Sequence, residues 1–440
     1  MRKTIVYGTI AAMAIACAQP AFASSSAEDT AAADAALDSS FADEGELERV
    51  DSLDLETALS RAINDSDNLA LLELKYEALG QKQKDLEKTA DDLEEAEPPN
   101  YALPGSAGSI LSDPDYQIPE DATPDQLLWL GPVVENNAIT NGLMQGMIGM
   151  IEGMNGLIAS QRNQAEVAAK QMENNRANTE LDQAEAKEGI ALQMTGQYIQ
   201  LLGERKQIEL LEDYIEVLEG DVAKAEALQQ AGMASADDIE QLQRQIAAQK
   251  DSLKTVSNNY QLGLVQLSFD LGIAYNPDVS LEPVEFTVPA AADRTDTETI
   301  LAGSFELKRL YNNINQAEWE KDHTDTSTSY GDSYLQTSVE LAEKQADQAK
   351  TDLRKAIESL YTEADNAYSS YAAAARVLEE QRRDYEKMKL RYEYGLISAH
   401  DLNDFAFQVQ QYETKAEIAR LQAFMLSRQI EAMERGFIQS

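Results

Sequence analysis

Apolar residues step by three and four along most of this chain, and the stepping breaks twice at a glycine. Before Gly232, the residues Leu211, Tyr214, Ile215, Leu218, Val222 and Ala225 fall on one helical face within a pattern running from about 160 to 230. After it, Ile239, Leu242, Ile246, Leu253, Val256, Tyr260, Leu267 and Leu271 continue to Gly272. The same plan returns with Val339, Ala346, Leu353, Leu360, Ala367 and Leu378 before Gly395, and with Leu402, Phe405, Val409, Tyr412, Ala416, Ala423, Ile430 and Met433 after it. Steps averaging near 3.5 residues describe helices that coil on one another, and the abundant alanine lets their axes approach. The pattern predicts an all-α fold: two long coiled-coil helical hairpins in tandem repeat. Each helix carries a narrow apolar stripe, too little to form a globular core alone, so self-association is expected.

The two breaks are copies of one another. Gly232-Met233-Ala234-Ser235-Ala236-Asp237-Asp238-Ile239 recurs 163 residues later as Gly395-Leu396-Ile397-Ser398-Ala399-His400-Asp401-Leu402. Glycine suits a helix C-terminus that needs a left-handed residue. Ser235 and Ser398 suit the N-caps of the returning helices, with Asp238 and Asp401 in the first turn, where the helix dipole favours negative charge. Shorter openings at Leu53-Asp54-Leu55-Glu56 and at Glu298-Thr299-Ile300-Leu301 precede the long helices of each half. The first repeat is thus expected over residues 51–274, with a proline-rich loop insertion at 97–140. The second is expected over 298–437. Residues 275–297, which include Pro277, Pro283 and Pro289, form the linker.

The N-terminus changes the picture of where the protein works. Arg2 and Lys3 precede an apolar run from Thr4 to Ala18, and Ala21-Phe22-Ala23 follows, so residues 1–23 read as a secretory signal peptide. A membrane-spanning anchor needs about 20 apolar residues, and this run breaks at Gln19-Pro20. The single cysteine, Cys17, offers a second cleavage point and a lipid anchor, so cleavage after Ala23 and lipidation at Cys17 both stand. Residues 24–50 are Ser, Ala, Asp and Glu with almost no large apolar side chain and are expected to form a disordered acidic leader. Loss of residues 1–23 leaves 34 basic against 78 acidic residues, a net charge of −44. Nucleic acid is an unsuitable partner for so acidic a chain.

Enzyme chemistry finds no support. The only histidines are His323, in a polar loop, and His400, at a hairpin tip. Neither has a metal-spaced partner, and no glycine loop for phosphate is present. No metal and no cofactor is expected. An exposed turn histidine without a role is the reading favoured for His400, against a tip whose charge follows pH.

At the tips the chain resembles the TolC family of outer-membrane efflux channels. The resemblance covers about Leu53 to Gly436 and is carried most strongly by Arg391-Tyr392-Glu393-Tyr394-Gly395-Leu396-Ile397-Ser398, followed by Asp401-Leu402. It implies a homotrimer whose hairpins form a helical tunnel, with tips that close the entrance and meet a periplasmic adaptor (membrane fusion) protein and an inner-membrane pump. By the resemblance, Asp401 and Asp404 stand at the entrance-ring carboxylates, and Asp238 and Tyr392 at two positions that latch the tips. Gly232, Met233, Ser235, Gly395, Leu396 and Ser398 stand at the turns and the adaptor contact. The latch arginine of the family is Ile397 here, and its Arg-Tyr pair before the first glycine is Leu228-Gln229. A ring of carboxylates around a threefold axis favours cations and repels anions.

The other end departs from the family. Membrane strands need about 9–11 residues of alternating character, and the insertion from His323 to Tyr334 is short and polar, while that from Pro98 to Asn141 is interrupted by proline. Little or no β-barrel is expected, which leaves outer-membrane attachment open. Gly142, Gly146, Gly149, Gly153 and Gly156 lie on one helical face beside Met144, Met147, Met150 and Met154, where another backbone can approach closely. Two functions follow: an efflux duct of a tripartite-type export system, passing small molecules or other exported substrates, or a non-conducting helical scaffold of the cell envelope.

Overall fold

The computed structural model describes residues 47–95, 130–324 and 328–439. The signal peptide 1–23, the leader up to residue 46 and most of the 97–140 insertion lie outside them. The described residues form helices α1 (Leu55–Asn64), α2 (Asp67–Glu95), α3 (Leu130–Gln230), α4 (Ala236–Asp270), α5 (Thr297–Gly303), α6 (Phe305–His323), α7 (Ser329–Glu393) and α8 (Ala399–Glu434). Two strands of two residues each, β1 (Ser52–Leu53) and β2 (Ser280–Leu281), pair in parallel with Ser52 opposite Ser280. The fold is all-α with tandem helical hairpins, and no barrel closes among the described residues.

Two expected boundaries shift. α3 begins at Leu130, inside the expected 97–140 loop. Its Pro132 sits in the first turn, where backbone N–H groups have no intrahelical acceptor and a proline therefore removes nothing. The described end of the acidic leader, residues 47–50, is placed by backbone pairing: Glu48 O accepts from Ala274 N at 3.0 Å, and Arg49 bridges Ala274. The Arg49 guanidinium donates to Asn276 Oδ1 at 3.1 Å.

Helices α3, α4, α7 and α8 all end the same way. At Gly232, Gly272, Gly395 and Gly436 φ is +74°, +59°, +68° and +109°. Each glycine N–H bonds three residues back, and the next residue bonds five back, as in Met233 N to Leu228 O and Leu396 N to Arg391 O, both 2.8 Å. This is the doubled closure that a left-handed residue permits. Duplication reaches the short helices too. Asp54 caps α1 by accepting from Thr57 N at 2.9 Å, and Asp296 caps α5 by accepting from Thr299 N at 3.1 Å. Ser66 and Ser304 then accept from Leu69 N and Leu307 N at the starts of the helices that follow.

The chain divides into two compact units. Of the described residues, the first comprises 47–70, 183–307 and 349–439. Its core joins Leu53 of β1, Ala58 and Ala62 of α1, Met194, Tyr198 and Leu201 of α3, Leu264 and Leu267 of α4, Leu281 of β2, and Leu421 and Phe424 of α8. Residues of the expected linker lie against the second hairpin. Arg420 donates to Val284 O at 2.8 Å, Phe286 meets Phe424 edge to face at 5.2 Å, and Ala292 N donates to Asp365 at 2.8 Å. The second unit comprises the described residues 71–95, 130–182, 308–324 and 328–348. There Arg176 lies over the Tyr76 ring at 4.5 Å, Arg309 pairs with Asp182 at 2.9 Å, and Asn178 bonds Asn312 and Asn313. In the same unit Leu143, Met147, Met150 and Met154 are exposed. A side chain at Gly142, Gly146, Gly149, Gly153 or Gly156 would meet nothing within 4 Å of its Cβ. No helix of the described residues is long and apolar enough to cross a membrane.

Candidate functional site

The candidate site is the pair of hairpin tips, both in the first unit. Their local build follows from the repeated octapeptide. Once Gly232 or Gly395 has turned the chain, a serine in extended conformation starts the returning helix. Ser235 Oγ accepts from Asp238 N at 3.1 Å while Asp238 Oδ2 accepts from Ser235 N at 3.1 Å and from its hydroxyl at 2.8 Å. Ser398 and Asp401 repeat this with 3.1, 3.1 and 2.9 Å. Such a reciprocal box satisfies two end-of-helix donors at once.

These bonds occupy two of the expected carboxylates. Asp238 is held below the ordinary range by the backbone N–H and then the hydroxyl of Ser235, and Asp401 by the hydroxyl and then the N–H of Ser398. Both therefore carry charge and brace their own turns. Asp238 and Tyr392, the two expected latch residues, are not brought together by a bond: the Asp238 carboxylate is committed to Ser235. Tyr392 is exposed, and its carbonyl accepts from Gly395 N at 2.8 Å. Met233 and Leu396 project from the two turns, 70% and 72% exposed, with Tyr394 beside them at 79%. The exposed apolar side chains crown turns whose serine and aspartate groups bond one another.

Asp404 has a different setting. It lies one helical turn after His400, whose Nε2 is 3.6 Å from Asp404 Oδ2 and 2.8 Å from Oδ1 of Asp221 on α3. Side chains of all three are partly shielded, with Asp221 18%, His400 23% and Asp404 41% exposed. Below this cluster Tyr214 of α3 stacks on Phe407 of α8 at 4.9 Å and 5°, and Gln410 donates to Asp213. One wall of the site is therefore the first hairpin and the other is the second. Burial pushes the Asp404 carboxyl up, with His400 and Lys224 opposing and Asp221 and Asp401 reinforcing.

That shift has a definite sign for stability. A carboxyl whose folded value is raised binds its proton more tightly in the folded state, so its contribution is full below the unfolded value and is lost as pH rises through the raised one. Asp404→Asn is expected to raise the thermal midpoint at neutral pH, and the advantage over the parent should shrink as pH falls towards about 4. Thermal melts at both pH values check this; an advantage that stays constant or grows on acidification would contradict the burial account.

His400 and Asp221 are the residues that sequence reading did not assign to the site. Asp221 sits on an acid-rich helix with no local mark, and 179 positions separate it from His400. Only packing of α3 against α8 unites them. Among the described residues no group of three His, Cys, Asp or Glu side chains has the arrangement to hold a metal ion.

No described protein family and no curated protein matches the sequence. Solved structures do. CusC, whose crystal structures concern folding and transmembrane channel formation, is similar with a TM-score of 0.52 and 12% identity, over 90% of this chain and 96% of that one. The open state of the MtrE outer-membrane channel of Neisseria gonorrhoeae is similar with a TM-score of 0.50 and 12% identity, over 90% and 95%. Identity at this level speaks for fold alone, and the likeness runs through both hairpins. The chain has the TolC-like fold of the outer-membrane efflux channels.

Proposed function

We infer that this protein is the duct of a tripartite-type export system and has no enzymatic activity. The observation that carries the reading is the doubled tip: two hairpins end in the same glycine closure and serine–aspartate box, on a fold shared with outer-membrane channels. In this reading three copies assemble about an axis, their helices form the wall, and the tips are the entrance. Exposed Met233, Leu396 and Tyr394 supply apolar anchors for a periplasmic adaptor, itself coupled to an inner-membrane pump. Asp401 and Asp404 contribute the carboxylates of an entrance ring that favours cations. The exposed glycine and methionine row of α3 gives copies of this acidic chain a stretch of close approach, since Glu152 is the one charged residue between positions 139 and 161. Envelope localisation accords with the N-terminal export signal; attachment to the outer membrane follows the fold likeness and, at Cys17, a lipid.

The test is direct. Electron images of the purified mature protein should show hollow cylinders of three copies, and cells that carry it should export cationic substrates in preference to anionic ones. Asp404→Lys should reduce that preference severalfold. Asp401→Lys is less informative because it also removes a cap. Solid rods or monomers would leave the scaffold reading, in which the same helices hold partners and conduct nothing.

A further inference from the structure

We propose that His400 is a proton-controlled tie between the two hairpin tips, drawing the second tip onto the first when it carries charge and loosening it when it does not. Its meaning as a gate rests on the duct reading; the tie itself does not. His400 Nε2 reaches across from α8 to Asp221 on α3 at 2.8 Å and lies 3.6 Å from Asp404 on its own helix. The charged groups facing it are Asp221 and Lys224 from the first hairpin and Asp401 and Asp404 from the second.

The charge balance gives the direction. With the imidazole protonated, two cations face three carboxylates, and the contact to Asp221 is a charge-assisted hydrogen bond. With it neutral, Lys224 alone faces three carboxylates, of which Asp221 belongs to one hairpin and Asp401 and Asp404 to the other. Repulsion between those two sets then acts across the joint that the imidazolium had closed. Partial burial makes the change felt, because the shielded side chains are screened less than surface charges. Histidine is the side chain whose charge changes between about pH 5 and 8.

Acid should therefore hold the tips together and alkali part them. Spin labels at Ala234→Cys and Ile397→Cys, in a Cys17→Ser background, report the tip-to-tip distance within one chain when labelled protein is diluted with unlabelled. Raising pH from about 5 to about 8 should move the ratio of near to far populations by on the order of tenfold, the equivalent of one good charge-assisted bond. His400→Gln should abolish the response, His400→Arg should keep the tips close throughout, and Asp221→Asn should abolish it while leaving helicity unchanged by circular dichroism. Retention of the response in His400→Gln, or its absence in the parent, overturns the tie. Electron images of the same samples separate the two readings: tips that respond in solid rods or monomers remove the duct and keep the tie, whereas hollow trimers with unresponsive tips do the reverse.

Discussion

Gly436→Ala is expected to destabilise the first unit by about 3–5 kcal/mol, combining a left-handed backbone with an overpacked contact. Gly436 has φ +109°, and a Cβ added there would lie 2.4 Å from the Gly303 carbonyl oxygen and 3.3 Å from the Phe305 ring. The obstacle is backbone, so no side-chain rotation relieves it. Its own carbonyl accepts from Phe305 N at 3.0 Å, which binds the end of α8 to the junction between α5 and α6. Gly395→Ala is the internal control. It shares the positive φ, +68°, but a Cβ there meets nothing within 4 Å, so only the backbone strain of about 1 kcal/mol remains. Urea unfolding of both variants measures the difference; equal losses would mean that the Gly303–Gly436 approach does not exist in solution.

Tyr198→Ala should cost about 3–5 kcal/mol and Tyr198→Phe about 1–2 kcal/mol. Tyr198 is fully buried, and its hydroxyl lies 2.7 Å from the carbonyls of Leu53 and Glu282, at the ends of β1 and β2. Burial pushes its phenol well above the usual range, so it stays a donor at any physiological pH. Phenylalanine keeps the ring and removes the proton shared between those carbonyls. The Leu53 carbonyl retains the Glu282 N–H at 2.9 Å, which is why the smaller change is modest. Alanine also empties the space among Leu53, Ala58, Leu264 and Leu281, where the N-terminal strand, the first hairpin and the linker meet. Thermal melts of the two variants rank these contributions, and a phenylalanine variant as damaged as the alanine one would assign the role to the hydroxyl rather than to packing.

Much of the fold was legible because its causes are local. The spacing from Gly232 to Ser235 to Asp238, and its copy at Gly395, Ser398 and Asp401, is sufficient to write a helix end, a turn and a cap, since each residue acts on neighbours within one turn. The start of α3 is not legible in the sequence. Pro132 looks like a breaker in a proline-rich stretch, yet in the first turn of a helix it is tolerated, and only the structure tells a first turn from an interior one. The site was legible in part. The spacing places Asp238 and Asp401 as acids at helix starts, and the structure gives each to its own serine, while His400, which has no local mark beyond its place in a turn, lies between carboxylates of two hairpins.

The sequence by itself determined that this is a duplicated pair of long helical hairpins, because a repeat and a 3.5-residue apolar step survive in one dimension. Tertiary structure alone decided which face of α3 meets α8, and hence that Asp221, His400 and Asp404 share one half-buried cluster. The physical reason is that helix and turn formation depend on residues a few positions apart, whereas a charge cluster depends on which stripes pack, and the stripes of these helices resemble one another too closely for the sequence to choose.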